Sequence, residues 1–86
     1  MTRILLIDDD RAILASIATT LTETYEVERA MTVEQGRALF HDHRPDLVVL
    51  EVALGGDNGW SLLEDLVGLG ARVIVLSRYR ASETID

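Results

Sequence analysis

The sequence predicts an α/β protein built on a doubly wound parallel sheet. Three observations carry this expectation. Residues 4–7, 47–50 and 73–76 are unbroken apolar runs bounded by polar residues, as strands buried on both faces must be. Between these runs the apolar residues recur at helical spacing. Strands alternating with helices imply parallel pairing, and right-handed crossovers leave few topologies.

The first strand is Ile4-Leu5-Leu6-Ile7. The period then changes over residues 11–24, where Ile13, Ile17 and Leu21 fall four apart with Leu14 and Ala18 beside them. That is one apolar helix stripe, and Asp10 stands where an N-cap belongs. Tyr25 to Ala30 alternates weakly, which suits a short edge strand with one wet side. Thr32-Val-Glu-Gln35 is a capping-box pattern that opens a second helix. Gly36, Leu39 and Phe40 give that helix a narrow inner face, and Pro45 disfavours helix at Arg44.

Leu47 to Leu50 forms the next strand, ending on Glu51. Ala53 to Gly59 reads as a glycine-containing loop. A third helix follows with Leu62, Leu63, Leu66 and Val67 inward and Gly68 as its stop. Val73 to Leu76 is the fourth strand, ending at Ser77, and the tail from Ser82 opens another helix.

At 86 residues a single domain is expected. With 48% hydrophobic and 27% charged residues the chain has enough apolar material for a core. The net charge is −7 and all 8 basic residues are Arg, which argues against a grip on nucleic-acid phosphates or on an anionic membrane. The absence of Cys suits a reducing cytoplasm. No apolar stretch approaches the ~20 residues of a membrane span.

Function is carried by what collects at the carboxyl ends of the strands, where open α/β sheets place their ligands. Asp8-Asp9-Asp10 follows the first strand, Glu51 ends the third, and Ser77 with Arg78 follows the fourth. Clustered carboxylates repel one another, and a hard divalent cation such as Mg2+ relieves that repulsion. A serine hydroxyl there can hydrogen-bond a phosphoryl oxygen. Each feature alone reads as an ordinary turn or cap; the three at one rim favour a site.

These residues also resemble a known family. Ile4-Leu-Leu-Ile-Asp-Asp-Asp10 is similar to the opening strand of response-regulator receiver domains. Pro45-Asp-Leu-Val-Val-Leu-Glu51 resembles their central strand, and Val73-Ile-Val-Leu-Ser77 resembles their fourth. The ordered set spans nearly the whole chain. The resemblance implies a flavodoxin-like fold with strand order 2-1-3-4, and residues 1–86 as a partial receiver domain whose fifth strand is missing. It implies a non-enzymatic, cytoplasmic module of two-component phosphorelay signalling. A sensor histidine kinase or other signalling protein would be its partner, with an output domain beyond residue 86.

By the same resemblance, Asp8 and Asp9 match the acidic pair that holds Mg2+, and Ala53 matches the residue whose backbone carbonyl is a further ligand. Glu51 stands at the phospho-acceptor position, and so joins the metal set. Ser77 matches the hydroxyl that moves onto the phosphoryl group, and Gly59 the glycine that opens the third helix. The departures are equally specific. The family's acceptor is Asp, not Glu. Gly55 replaces a usual Pro, Arg78 takes a position that is usually small, and the family's Lys on the next strand is absent.

In the family the Asp carboxylate attacks a phosphoryl donor and becomes an acyl phosphate. Glu moves the carboxylate by up to ~1.5 Å, and a misplacement of about 1 Å can cost on the order of a hundredfold in rate. Poor or no phosphorylation of Glu51 is therefore expected. The module then either imitates the phosphorylated state through Glu51 or serves only as a docking surface, and the missing strand-five machinery favours the second. Mg2+ binding would be weak.

Other residues carry less. His41 and His43 read as a solvated helix end favoured by the dipole. Trp60 is expected to pack on the glycine loop, Arg78 to be solvated, and Asp57 and Asn58 to form a turn or a cap. An exposed fourth strand would invite an edge-paired or domain-swapped homodimer. The alternative function is a Mg-dependent phosphatase fragment of the haloacid-dehalogenase type, which also places acidic residues after its first strand. Ala12 and the lack of any Lys fit that family poorly.

Overall fold

In the computed structural model, which describes residues 2–54 and 57–76, the chain runs through nine short elements. They are β1 (Arg3–Ile7), α1 (Arg11–Leu21), β2 (Glu26–Ala30), α2 (Val33–His43), β3 (Leu47–Glu51), β4 (Ala53–Leu54), β5 (Asp57–Asn58), α3 (Gly59–Gly68) and β6 (Val73–Leu76). The main sheet is parallel with order β2-β1-β3-β6. This is the expected 2-1-3-4 arrangement, residues 73–76 being the fourth strand of that sheet.

The inner strands are buried on both faces because alternate side chains of β1 and β3 feed two separate cores; β6, expected from its apolar run to be buried likewise, has no buried residue, because β3 is its one strand neighbour among the described residues. Leu5, Ile7, Val48 and Leu50 pack with Phe40 of α2 and with Leu62 and Leu66 of α3. Ile4 and Leu6 pack with Leu14 and Ala18 of α1 on the opposite side. Burying a side chain such as Leu5 or Leu62 contributes about 1.5–3 kcal/mol, and both are fully buried.

The helix ends follow their local chemistry. The Asp10 carboxylate accepts the N–H groups of Ala12 and Ile13 and starts α1. The Thr32 hydroxyl accepts from Gln35 N, and the Gln35 amide oxygen returns to Met31 N, so the capping pattern closes. α2 stops at Arg44, which turns left-handed at φ 44° and lays its guanidinium 5.0 Å from the Phe40 ring centroid.

Four expectations need correction. Ala53 to Gly59 is not simply a loop: β4 and β5 pair as a small antiparallel ladder, Ala53 with Asn58 and Leu54 with Asp57. Two-residue strands are too short to show any period. Asp57 and Asn58, expected as a turn or cap, are therefore strand residues by backbone. Val67 is not inward but 56% exposed; the buried face of α3 centres on Gly59, Leu62 and Leu66, and Leu63 only rims it. Gly68 is the last helical residue, not the stop. The stop is Gly70 at φ 84°, in a Schellman arrangement where Ala71 N donates to Leu66 O and Gly70 N to Val67 O.

Candidate functional site at the carboxyl edge of the sheet

The parallel register sets the site. Ile7 pairs with Leu50 and Glu51 pairs with Leu76, so the tips of β1, β3 and β6 emerge along one edge. Asp8 extends the first tip by one residue, its N–H donating to the Ala30 carbonyl at 3.0 Å. The Asp8 side chain is only 4% exposed, and its carboxylate accepts the Asp10 N–H at 2.9 Å. Asp9 between them is half-buried. The acidic triplet therefore divides its work: Asp10 caps α1, and Asp8 ties the turn down.

Glu51 ends β3 with a side chain 2% exposed. Its Oε2 accepts the backbone N–H of Ala53 at 2.9 Å. The carboxylate thus folds back onto the loop that follows its own strand. Burying a carboxylate is costly unless it is hydrogen-bonded, and this contact supplies one such bond.

The same loop is locked from the other side. Val52 and Leu54 are buried, each 3% exposed. A Cβ placed on Gly59 would lie 2.4 Å from the Val52 carbonyl oxygen. Only glycine lets the start of α3 approach so closely. The next residue, Trp60, is 58% exposed. The expected burial of Trp60 is not met, most of the residue being open to solvent; Gly55 and Gly56 of the glycine loop lie outside the described residues.

The sequence-predicted residues thus fall as follows. Asp8 and Glu51 sit at adjacent strand tips, with Ala53 bonded to Glu51 through its N–H. Ser77 and Arg78, with the tail from Ser82, lie outside the described residues, as do Gly55 and Gly56. Among the described residues no group of three or more His, Cys, Asp or Glu is arranged to hold a metal ion. His41 and His43 are exposed at the end of α2, as expected, but His43 Nδ1 also pairs with Glu28 Oε2. That pair joins residues 15 apart in sequence, and no local pattern announces it.

Comparison with known proteins agrees with this fold. Residues 4–86 match the response regulator receiver domain family. The chain is 33% identical over 84 residues to the photosynthetic apparatus regulatory protein RegA of Rhodobacter capsulatus, covering 94% of this chain and 46% of RegA. It is 35% identical over 85 residues to the alginate biosynthesis transcriptional regulatory protein AlgB of Pseudomonas aeruginosa, covering 95% of this chain and 19% of AlgB. The chain therefore spans less than half the length of either relative. Among solved structures, a receiver domain protein from Methanospirillum hungatei is similar at a TM-score of 0.86 and 34% identity, with 99% of this chain and 71% of that one covered. A Burkholderia pseudomallei response regulator carrying a phosphorylated aspartic acid and a calcium ion is similar at a TM-score of 0.85 and 28% identity, with 93% and 49% covered. The parallel order β2-β1-β3-β6, the acidic edge and a family match over residues 4–86 place the chain in the response regulator receiver domain family of two-component systems.

Proposed function

We propose that this receiver module acts by protein–protein contact without stable phosphorylation, as a pseudo-receiver. One observation carries the reading: Glu51, which the resemblance sets at the acceptor position, is 2% exposed with its carboxylate engaged by the Ala53 N–H. A phosphoryl donor needs an in-line approach to a carboxylate oxygen. Glu51 offers a buried, already bonded group on a stem one methylene longer than Asp. The similar Burkholderia response regulator carries a phosphorylated aspartic acid and a calcium ion, where this chain has Glu by the resemblance.

Receiver domains are typically non-enzymatic signalling modules, and Mg2+ typically sits at their phosphorylation site. Asp8, Asp9, Glu51 and the Ala53 carbonyl form the oxygen donor set that would hold Mg2+ here. The described side chains do not gather three acids into one group, and Glu51 is turned onto its own loop; both favour weak binding. The ion would supply charge neutralisation at the strand tips. Ser77 takes the role of the switch hydroxyl in this reading.

The partner is a sensor histidine kinase or another signalling protein, and the output domain follows residue 86. Residues 1–86 are then a partial receiver domain. The outer strand β6, with Ile74 50% and Val75 39% exposed, is the edge on which a second copy would pair. The module works in the cytoplasm, where response regulators act; no helix among the described residues is long and apolar enough to cross a membrane.

The test is incubation with a small-molecule phosphoryl donor and Mg2+, followed by intact-mass and fragment-mass analysis. No lasting adduct is expected. A stable gain of about 80 Da on Glu51, the mass of one phosphoryl group, would overturn the reading.

A further inference from the structure

We infer that Glu51 is a positioning residue that holds the Trp60 surface in one arrangement through a continuous chain of backbone contacts. The inference rests on the pseudo-receiver reading and extends it to how the site communicates outward. Three steps connect the two residues. Glu51 Oε2 accepts the Ala53 N–H at 2.9 Å. Ala53 pairs with Asn58 in the β4–β5 ladder. Asn58 is followed by Gly59, whose backbone lies so close to Val52 that an added Cβ would sit 2.4, 2.6 and 2.8 Å from its O, Cα and C atoms.

Each step involves main chain, which has less freedom than a side-chain relay. Residues 51–54 cannot shift without moving the β4–β5 ladder, and the ladder cannot shift without moving the first turn of α3. Trp60, 58% exposed, is the first large side chain on that turn. Large exposed aromatics are favoured anchors for protein partners. The Glu51 side chain thereby sets the position of the α3 start, and with it Trp60, with no phosphoryl group involved.

The experiment uses amide hydrogen exchange and amide chemical shifts by NMR on the 86-residue chain and two variants. Glu51→Gln keeps the length and an acceptor oxygen. Glu51→Ala removes both. The Leu50 amide, inside β3, reports global stability. In Glu51→Ala, exchange at Ala53 should rise at least about tenfold relative to Leu50, as loss of a hydrogen bond to a charged group implies. The amides of Asn58, Gly59 and Trp60 should shift with it, while those of α1 stay in place. Glu51→Gln should restore the parent pattern.

Unchanged Ala53 exchange and unchanged Trp60 shifts in Glu51→Ala would overturn the inference. So would equal disturbance by Glu51→Gln, which would assign the effect to charge instead of the bond. If Glu51→Ala fails to fold, the unmodified chain still decides: a through-hydrogen-bond coupling between the Ala53 nitrogen and the Glu51 carboxyl carbon is expected, and its absence counts against the bond. These readouts are independent of phosphoryl transfer. A labelled Glu51 with an intact Ala53 bond would sink the pseudo-receiver reading alone.

Discussion

Gly59 approaches Val52 so closely that any side chain at residue 59 would enter the Val52 backbone, 2.4 Å from its carbonyl oxygen. Backbone cannot rotate aside as a side-chain tip can. Gly59→Ala should therefore cost about 2–3 kcal/mol or more, at the upper end of overpacking changes. The measurement is the urea midpoint, which should fall with little change in slope.

Gly36 offers the contrast. A Cβ there meets Ile7 Cδ1 at 2.7 Å, the far end of a side chain, which gives way more readily than backbone. Alanine also improves helix propensity in α2 by about 1 kcal/mol, offsetting the repacking cost. Gly36→Ala should shift stability by less than about 1 kcal/mol in either direction. A loss as large as that of Gly59→Ala would show that Ile7 has no room to move.

Asp10 binds two N–H groups at the start of α1. Asp10→Ala should cost about 1 kcal/mol, and Asp10→Asn only a few tenths, since Asn caps nearly as well. Thermal unfolding of the three proteins in parallel gives the ordering.

Mg2+ affinity should be low. A titration followed by Trp60 fluorescence should give half-saturation at about 1 mM or above, since few free charged ligands mean weak binding. Saturation below about 10 µM would contradict the weak-site reading. Glu51→Asp should strengthen binding, because a shorter carboxylate is less committed to the loop.

Among the described residues the two outer strands of the sheet differ in kind. β2 carries Glu26, Glu28 and Arg29, whereas β6 is Val73-Ile-Val-Leu76. Charges protect a natural edge; an uncharged β-branched strand does not. Ile74→Lys should abolish concentration-dependent self-association in light scattering. It should change stability by about 0.5 kcal/mol at most, as expected for a half-exposed position. A parent chain that stays monomeric at high concentration would remove the second copy as a partner.

The fold was legible because its signals are local. The runs at residues 4–7, 47–50 and 73–76, the Asp10 and Thr32 caps and the Pro45 break each act within a few residues. The acidic edge followed from parallel order, which brings strand tips together whatever their side chains. The hidden features were those that depend on distance or on very short elements. The β4–β5 ladder has two residues per strand and leaves no period. Gly68 and Gly70 are indistinguishable by spacing, and only the hydrogen bonds identify the stop. The Glu51–Ala53 bond was hidden for another reason: Glu where the resemblance expects Asp announces a longer reach, but not the direction in which the carboxylate turns.

β1 has Leu5 and Ile7 in one core and Ile4 and Leu6 in the other. The sheet is thus a partition wall, and among the described residues the buried side chains fall into separate cores on its two sides. A partner seated on α1 cannot press on α3 through packed side chains. One path between the two sides is the rim, where Asp8, Asp9 and Asp10 join β1 to α1. For traffic between the two sides of this small protein, the acidic rim is a doorway.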